Sequence, residues 1–186
     1  KCSHFHGRAT GGNGLGQEPC PLFATQTDLG ITYYTLGHRS GGEKGTRFLA
    51  QSVAASSSAM EVRTFESDPE RWASTQNNLG NALSMLGERG GPEALDRLSD
   101  AAVAYRAALQ VFSRTSAPEK WALAHHNLGN SLFALGELRG PQEGRAQLRE
   151  AVNSYRAALQ VFTRKETPAN WAMVQHGLGN ALRALG

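Results

Sequence analysis

The sequence has few cysteines, no long apolar run and only a slight excess of one charge. The 186 residues include two cysteines, Cys2 and Cys20, which form no CxxC pair, so neither a disulfide framework nor a zinc site is expected. No stretch approaches the roughly 18 apolar residues of a membrane-spanning helix. This scarcity of cysteine predicts a protein of the reducing cytoplasm, and no membrane partner is expected.

The charge balance excludes little. The chain carries 19 Lys and Arg against 16 Asp and Glu, a formal net charge of +3 at pH 7. Such a small basic excess permits an acidic partner without requiring one. RNA binding, which other helical repeats perform, is therefore a weak alternative.

What the chain does contain is an internal repeat. Equivalent positions recur 50, 49 and 50 residues apart, as shown by Gly30, Gly80, Gly129 and Gly179. Prolines and tryptophans keep the same steps at Pro69, Pro118, Pro168, Trp72, Trp121 and Trp171, and YRAALQVF occurs at 105–112 and 155–162. A period of this kind indicates an array of similar units. We predict units at 18–67, 68–116 and 117–166 and a partial unit at 167–186, after a glycine-rich, disordered segment at 1–17. Because the chain stops within a unit, we expect a fragment of a longer protein.

Each unit is predicted to form two helices, helix A and helix B. Helix A begins at a proline, which suits the first helical turn, and Asp68 is a candidate N-cap before Pro69. Its apolar residues share one face, and it should end at a left-handed glycine, namely Gly37, Gly87 or Gly136. Loops such as 88–93 and 137–144 follow, and helix B is predicted at about 94–114 and 145–164. A stripe of apolar residues runs along helix B, for example Leu148, Val152, Tyr155, Leu159 and Phe162.

These motifs resemble the tetratricopeptide repeat. The matching residues of one unit are Leu128, Gly129, Leu132, Gly136, Ala151, Tyr155, Ala158 and Pro168, and the preceding unit repeats the pattern. The resemblance covers 18–186 and implies an all-α fold of antiparallel helix pairs, stacked into a right-handed superhelix, or α-solenoid. Family units have about 34 residues. The additional residues here fall mainly between helix A and helix B and after helix B.

Two residue types inside helix A are predicted to serve packing. The mid-helix glycine costs about 1 kcal/mol relative to alanine, which close approach of a neighbouring helix can offset. The tryptophans are predicted to wedge helix A against the preceding helix B.

The resemblance also implies three rows of helix A residues on the concave face of the superhelix. The row directly after the glycine is Ile31, Asn81, Asn130 and Asn180. The row three residues before the glycine is Thr27, Asn77, His126 and His176. The row one turn further on is Tyr34, Ser84, Phe133 and Arg183. These rows are the candidate partner-binding residues.

The repeated asparagine is open to two interpretations. Asparagine is a poor helix-interior residue, so some interaction should compensate for it. Its amide both donates and accepts, so a ladder of asparagines can hold the backbone of an extended peptide. Alternatively, these side chains bond to neighbouring helices.

The sequence predicts a non-catalytic protein-interaction scaffold for a peptide or protein partner, which could be another domain of the same polypeptide. His125 and His126 diverge by about 100° on a helix, so a metal site is not expected. No nucleophile, base and orienting group recur together, so neither catalysis nor a cofactor is expected. The main alternative is a regulatory or docking arm of a larger signalling or NTP-using protein.

Overall fold

The structure, a computed structural model, describes residues 21–186, and the predicted disordered segment at 1–17 lies outside this range. The described residues form seven helices and no strand. The helices are α1 (Pro21–Arg39), α2 (Gly42–Met60), α3 (Pro69–Glu88), α4 (Ala94–Ala108), α5 (Pro118–Glu143), α6 (Arg145–Ala158) and α7 (Pro168–Leu185). Odd-numbered helices are helix A of successive units, and even-numbered helices are helix B. The prediction of an all-α fold of helix pairs is confirmed.

The starts of helix A agree with the sequence. Pro69, Pro118 and Pro168 each occupy the first turn, where a missing N–H removes no helical bond. The carboxylate of Asp68 accepts a hydrogen bond from the backbone N–H of Arg71 at 3.1 Å, so Asp68 is an N-cap as predicted.

A hydroxyl turn joins each helix B to the next helix A. The hydroxyl oxygens of Thr64, Ser113 and Thr163 accept bonds from the backbone N–H three residues later, at 3.3, 3.0 and 3.1 Å. Serine and threonine favour such turns because the side chain replaces a backbone acceptor. The turn therefore directs the chain towards the next proline at the same place in each unit.

The predicted glycine C-caps of helix A are wrong. Gly37, Gly87 and Gly136 lie inside α1, α3 and α5, and the glycines with positive φ lie elsewhere in the described residues. A β-carbon on Gly87 would lie 2.6 Å from Cγ of Leu98, and helix B leucines face Gly37 and Gly136 in the same way. These positions are glycine because the helix B leucine presses against the helix A backbone.

Helix B is also shorter than predicted. Helices α4 and α6 end at Ala108 and Ala158, about six residues before the expected ends at 114 and 164. The apolar stripe continues past the helix because Phe112 and Phe162 remain buried within the turn that follows. Periodicity alone therefore overestimated the helix length.

The loops between helix A and helix B differ from unit to unit. Residues 89–93 form a short connection as expected, with Gly90 and Gly91 at φ of 81° and 96°. The predicted loop at 137–144 is largely helical instead. Only Gly140, with φ of 84° and ψ of 175°, interrupts α5 there.

The units from α3 to α7 share an apolar core. Each helix packs against the next along the chain, and successive A helices also contact one another. The core between α3 and α7 includes Leu83, Tyr105, Leu132, Tyr155 and Val174. Trp121 packs against the cluster formed by Ala108, Phe112 and their neighbours, so it wedges against the preceding helix B as predicted.

One arginine of the second unit makes several hydrogen bonds to the backbone of the first unit. The guanidinium of Arg89, just after α3, donates to the backbone oxygens of Gly37 and Ser40 at 2.7 and 2.9 Å and to that of Gly42 at 3.1 Å. It thus satisfies carbonyls where α1 ends and α2 begins. A β-carbon on Gly45 would overlap the backbone oxygen of Ser40 and would lie 2.6 Å from the guanidinium, so glycine at that position leaves room for both.

Candidate functional site

Asn81 and Asn130 each lie beside a close contact between helix A and helix B. A β-carbon on Gly80 would lie 2.7 Å from Cε1 of Tyr105, and one on Gly129 would lie 2.8 Å from Cε1 of Tyr155. The glycines therefore let the tyrosine ring lie directly on the helix A backbone, which confirms their predicted packing role. The tyrosine hydroxyl then reaches the asparagine that follows the glycine.

Hydrogen bonds to these tyrosines occupy the asparagine oxygens. The Tyr105 hydroxyl donates to Oδ1 of Asn81 at 2.8 Å, and the Tyr155 hydroxyl donates to Oδ1 of Asn130 at 2.7 Å. Both tyrosines are almost fully buried, so an unpaired hydroxyl there would be costly. Of the two interpretations of the asparagines, bonding to a neighbouring helix accounts for these oxygens.

In the last two units, a histidine of one row hydrogen-bonds to the asparagine one turn later. Nδ2 of Asn130 lies 3.1 Å from Nε2 of His126, and the pair Asn180 and His176 has the same 3.1 Å separation. Since the amide nitrogen can only donate, Nε2 is the acceptor and the neutral ring carries its proton on Nδ1. His126 is 5% exposed, and burial lowers its pKa. In the last unit, Arg183 donates to Oδ1 of Asn180 at 3.1 Å, in the place of a tyrosine.

A polar cleft opens between α1, α3 and α5. Its volume is about 160 Å³, well above the roughly 10–15 Å³ that a single water needs. Four predicted residues line it, namely Tyr34, Asn81, Ser84 and Asn130. Four others complete the polar cleft, namely Met85, Glu88, Tyr105 and Asn127. The structure thus brings residues from two of the three predicted rows together.

Hydrogen bonds orient the floor of the polar cleft. Nδ2 of Asn127 donates to Oδ1 of Asn81 at 3.1 Å. The buried hydroxyl of Ser131 donates to that of Ser84 at 3.0 Å, and Ser84 donates in turn to Oε1 of Glu88 at 3.1 Å. A relay of two hydroxyls therefore leads from the interior to a carboxylate at the mouth.

Three tyrosines near the polar cleft are held in the neutral form. Burial raises the pKa of Tyr105 and Tyr155 well above its ordinary value, with a smaller contribution from the negative charge of Glu88. Burial raises the pKa of Tyr34 as well, again with help from Glu88. All three hydroxyls remain hydrogen-bond donors at neutral pH.

The remaining row residues lie apart from the polar cleft. Thr27 accepts a hydrogen bond from Arg63 at 2.8 Å, and Oδ1 of Asn77 is buried without a hydrogen-bond partner in the described residues. Phe133 packs against the apolar core, whereas Ile31 is 46% exposed. His176, Asn180 and Arg183 form their own set on α7.

Sequence reasoning missed Glu88, Asn127 and the role of the tyrosines. One signal for the tyrosine–asparagine pair was present, because the first unit replaces both partners together, with Ile31 and Ser56. Glu88 offered no such signal. Its counterpart one unit later, Glu137, is also glutamate but does not line this cleft.

The described residues contain no candidate metal-binding group. No three His, Cys, Asp or Glu side chains within 26–186 lie together as a metal-binding group. None of the helices α1 to α7 is both long and apolar enough to cross a membrane. Comparison with known proteins found no family model, curated protein or solved structure that matches this chain.

Proposed function

We propose that this chain is a non-catalytic interaction scaffold that binds an extended peptide segment of a partner along the face formed by α1, α3, α5 and α7. The polar cleft is the observation that carries the proposal. It lies on that face, has a volume of about 160 Å³ and presents side chains of four different helices, α1, α3, α4 and α5. The partner is a cytoplasmic protein or another domain of the same polypeptide, in which case this array is its docking arm.

The packing of the helices supports a concave helix A face. Pairs of α-carbons within 8 Å link α1 to α3, α3 to α5 and α5 to α7, whereas none link successive B helices in the described residues. Successive B helices are bridged by long side chains, as where Arg106 reaches Glu150 at 2.6 Å. Closer spacing on one side curves a stack towards that side, as the right-handed superhelix of the tetratricopeptide resemblance requires.

The basic residues of helix B and of the turn after it give little support to RNA binding. Arg106 pairs with Glu150, and Arg114 donates to Gln160 at 2.8 Å. The guanidinium of Arg164 lies 5.8 Å from the ring centre of Trp171. These three cations join successive units, so they do not form a continuous strip for a phosphate backbone.

A selection from a displayed library of random dodecapeptides tests the proposal. Peptides retained by the chain should lose most of their affinity for a Tyr34→Ala variant, because Tyr34 lines the polar cleft and its hydroxyl makes no hydrogen bond to another residue of 26–186. Val103→Asp, on the exposed side of α4, is the matched control and should bind normally. Failure to select any peptide, or equal loss with both variants, would contradict the proposal.

A further inference from the structure

Within the polar cleft, Glu88 carries a negative charge that the fold leaves uncompensated. No lysine or arginine nitrogen among the described residues lies within 4.0 Å of its carboxylate, and the other lining residues are neutral. Ser84 donates to Oε1 of Glu88. No side chain of residues 26–186 donates to Oε2. A carboxylate has room for about four hydrogen bonds, so most of this capacity is open to solvent or to a ligand.

The nearest cation in sequence is already engaged. Arg89 follows Glu88 directly, but its guanidinium turns towards α1 and α2, where it bonds to the carbonyls of Gly37, Ser40 and Gly42. The same arginine that joins the first two units is thereby withdrawn from the carboxylate. Arg89 therefore stabilises the contact between the first two units, whereas Glu88 lines the polar cleft.

The volume beside Glu88 depends on one small residue. The row that includes Tyr34, Ser84 and Phe133 has its smallest member at Ser84, which is where the polar cleft opens. One unit further on, Phe133 occupies the equivalent position and packs against the core. The first unit supplies Tyr34 as an aromatic wall, and an aromatic face attracts cations.

From this geometry we infer that the polar cleft receives a cationic side chain, lysine or arginine, of the bound peptide, with Glu88 as its counter-ion. The inference rests on the proposed peptide function and names the chemistry of its partner. The ammonium or guanidinium head group donates to Glu88 and lies against the ring of Tyr34. The relay from Ser131 through Ser84 fixes the carboxylate in place.

Small amides test the cleft without any assumption about peptides. N-acetyl-lysine amide, N-acetyl-arginine amide and the uncharged N-acetyl-norleucine amide are titrated separately into isotopically labelled chain. The side-chain amide signals of Asn81 and Asn127 are followed by NMR. The two cationic amides should shift these signals, and the norleucine amide should not. Affinity should fall as salt rises, since the carboxylate is exposed.

Two matched variants locate the counter-ion. Glu88→Gln keeps an oxygen that can accept from Ser84, so the fold should persist, yet affinity for the cationic amides should fall by about fivefold or more. Glu137→Gln removes the equivalent carboxylate one unit later and should change nothing. Equal shifts with the norleucine amide, or equal effects of the two variants, would overturn the inference.

The selected dodecapeptides separate this inference from the proposed function. Peptides that share a lysine or arginine, and weaken when it is replaced by norleucine, support both. Peptides that bind at the cleft without a cation, and are indifferent to Glu88→Gln, leave the scaffold proposal standing and refute the counter-ion. Binding of the cationic amides without any selected peptide leaves the cation preference standing and refutes the peptide scaffold.

Discussion

Gly80 and Tyr105 touch so closely that a β-carbon on the glycine would lie 2.7 Å from Cε1 of the tyrosine ring. The ring cannot yield easily, because it is 2% exposed and its hydroxyl is bonded to Asn81. The same contact recurs between Gly129 and Tyr155, so it is a property of the unit rather than of one site. Glycine has a lower helix propensity than alanine, and at these positions the close packing of the tyrosine ring offsets that cost.

This contact predicts opposite effects of the same substitution at two equivalent positions. Gly80→Ala should lower the free energy of unfolding by about 1 to 2 kcal/mol, because overpacking outweighs the gain in helix propensity. Gly179→Ala should raise it by up to about 1 kcal/mol, because no atom lies within 4 Å of the added carbon. Urea unfolding of both variants measures the difference. Stabilisation by Gly80→Ala would show that the ring can move aside.

The raised tyrosine pKa values predict a loss of stability in alkali. The unfolded chain ionises its tyrosines near the ordinary pKa of about 10, whereas burial keeps Tyr105 and Tyr155 protonated in the folded state. Their contribution is therefore complete below pH 10 and is lost as the pH rises above it. Above pH 10, each of these tyrosines should lower the free energy of unfolding by about 1.4 kcal/mol per pH unit.

The variants Tyr105→Phe and Tyr155→Phe isolate this contribution from that of other groups. Each should have a shallower decline of unfolding free energy between pH 10 and the onset of unfolding. At neutral pH each should lose about 1 kcal/mol, the typical net value of a hydrogen bond. Tyr33→Phe is a control, since Tyr33 stacks on Phe48 and is only half-buried. An unchanged alkaline slope in Tyr105→Phe and Tyr155→Phe would contradict the prediction.

The burial of His126 predicts that the free energy of unfolding also depends on pH in the acidic range. Burial lowers its pKa, so the unfolded chain takes up the proton first, near the ordinary value of about 6.5. Stability due to the neutral ring is present above that pH and is lost as the pH falls through the lower folded pKa. His126→Gln should flatten the decline below pH 6.5, as measured by thermal unfolding at a series of pH values.

The matched control for His126 lies one unit later. His176 makes the same contact with an asparagine, but its side chain is exposed on α7. His176→Gln should therefore change the thermal unfolding curve less than His126→Gln does. A larger effect at His176 than at His126 would show that burial is not the cause.

Because Arg89 bonds to the backbone of the first unit, its substitution should destabilise the helices near that contact and not the whole array. Arg89→Lys keeps the charge but loses the planar fork that reaches several carbonyls at once, so it should destabilise the junction by about 1 kcal/mol. Hydrogen exchange should accelerate in α1 and α2 and remain unchanged in α5. Arg97→Lys, which affects only an exposed pair with Glu93, is the control. Uniform acceleration along the chain would contradict a local role.

Periodicity predicted the helix pairs well because each unit repeats one packing problem. The prolines begin helix A, and the mid-helix glycines accept a neighbouring ring, both as expected from local chemistry. The ends of the helices were predicted less well. Gly87 and Gly136 resemble caps in sequence, but long-range contact with Leu98 and Leu148 decides their role.

The candidate site was harder to predict, because its geometry depends on residues far apart in sequence. Four residues of the predicted rows, Tyr34, Asn81, Ser84 and Asn130, line one cleft. The direction of the asparagine bonds depends on a tyrosine 24 or 25 residues away, which no local pattern reveals. The charge of Glu88 matters only because Arg89 bonds elsewhere, and that too requires the tertiary structure.

The contact of Arg89 with the backbone around Gly45 means that the units are not interchangeable. Leu138 stands where the third unit would need the arginine, and Ala94 stands where the second unit would need the glycine. A chain in which the second and third units exchanged places would bring Leu138 against Gly45, and the carbonyls of Gly37, Ser40 and Gly42 would lose their guanidinium donor. The first junction thus identifies its own neighbour, because the second unit carries the required arginine and the third carries Leu138 instead.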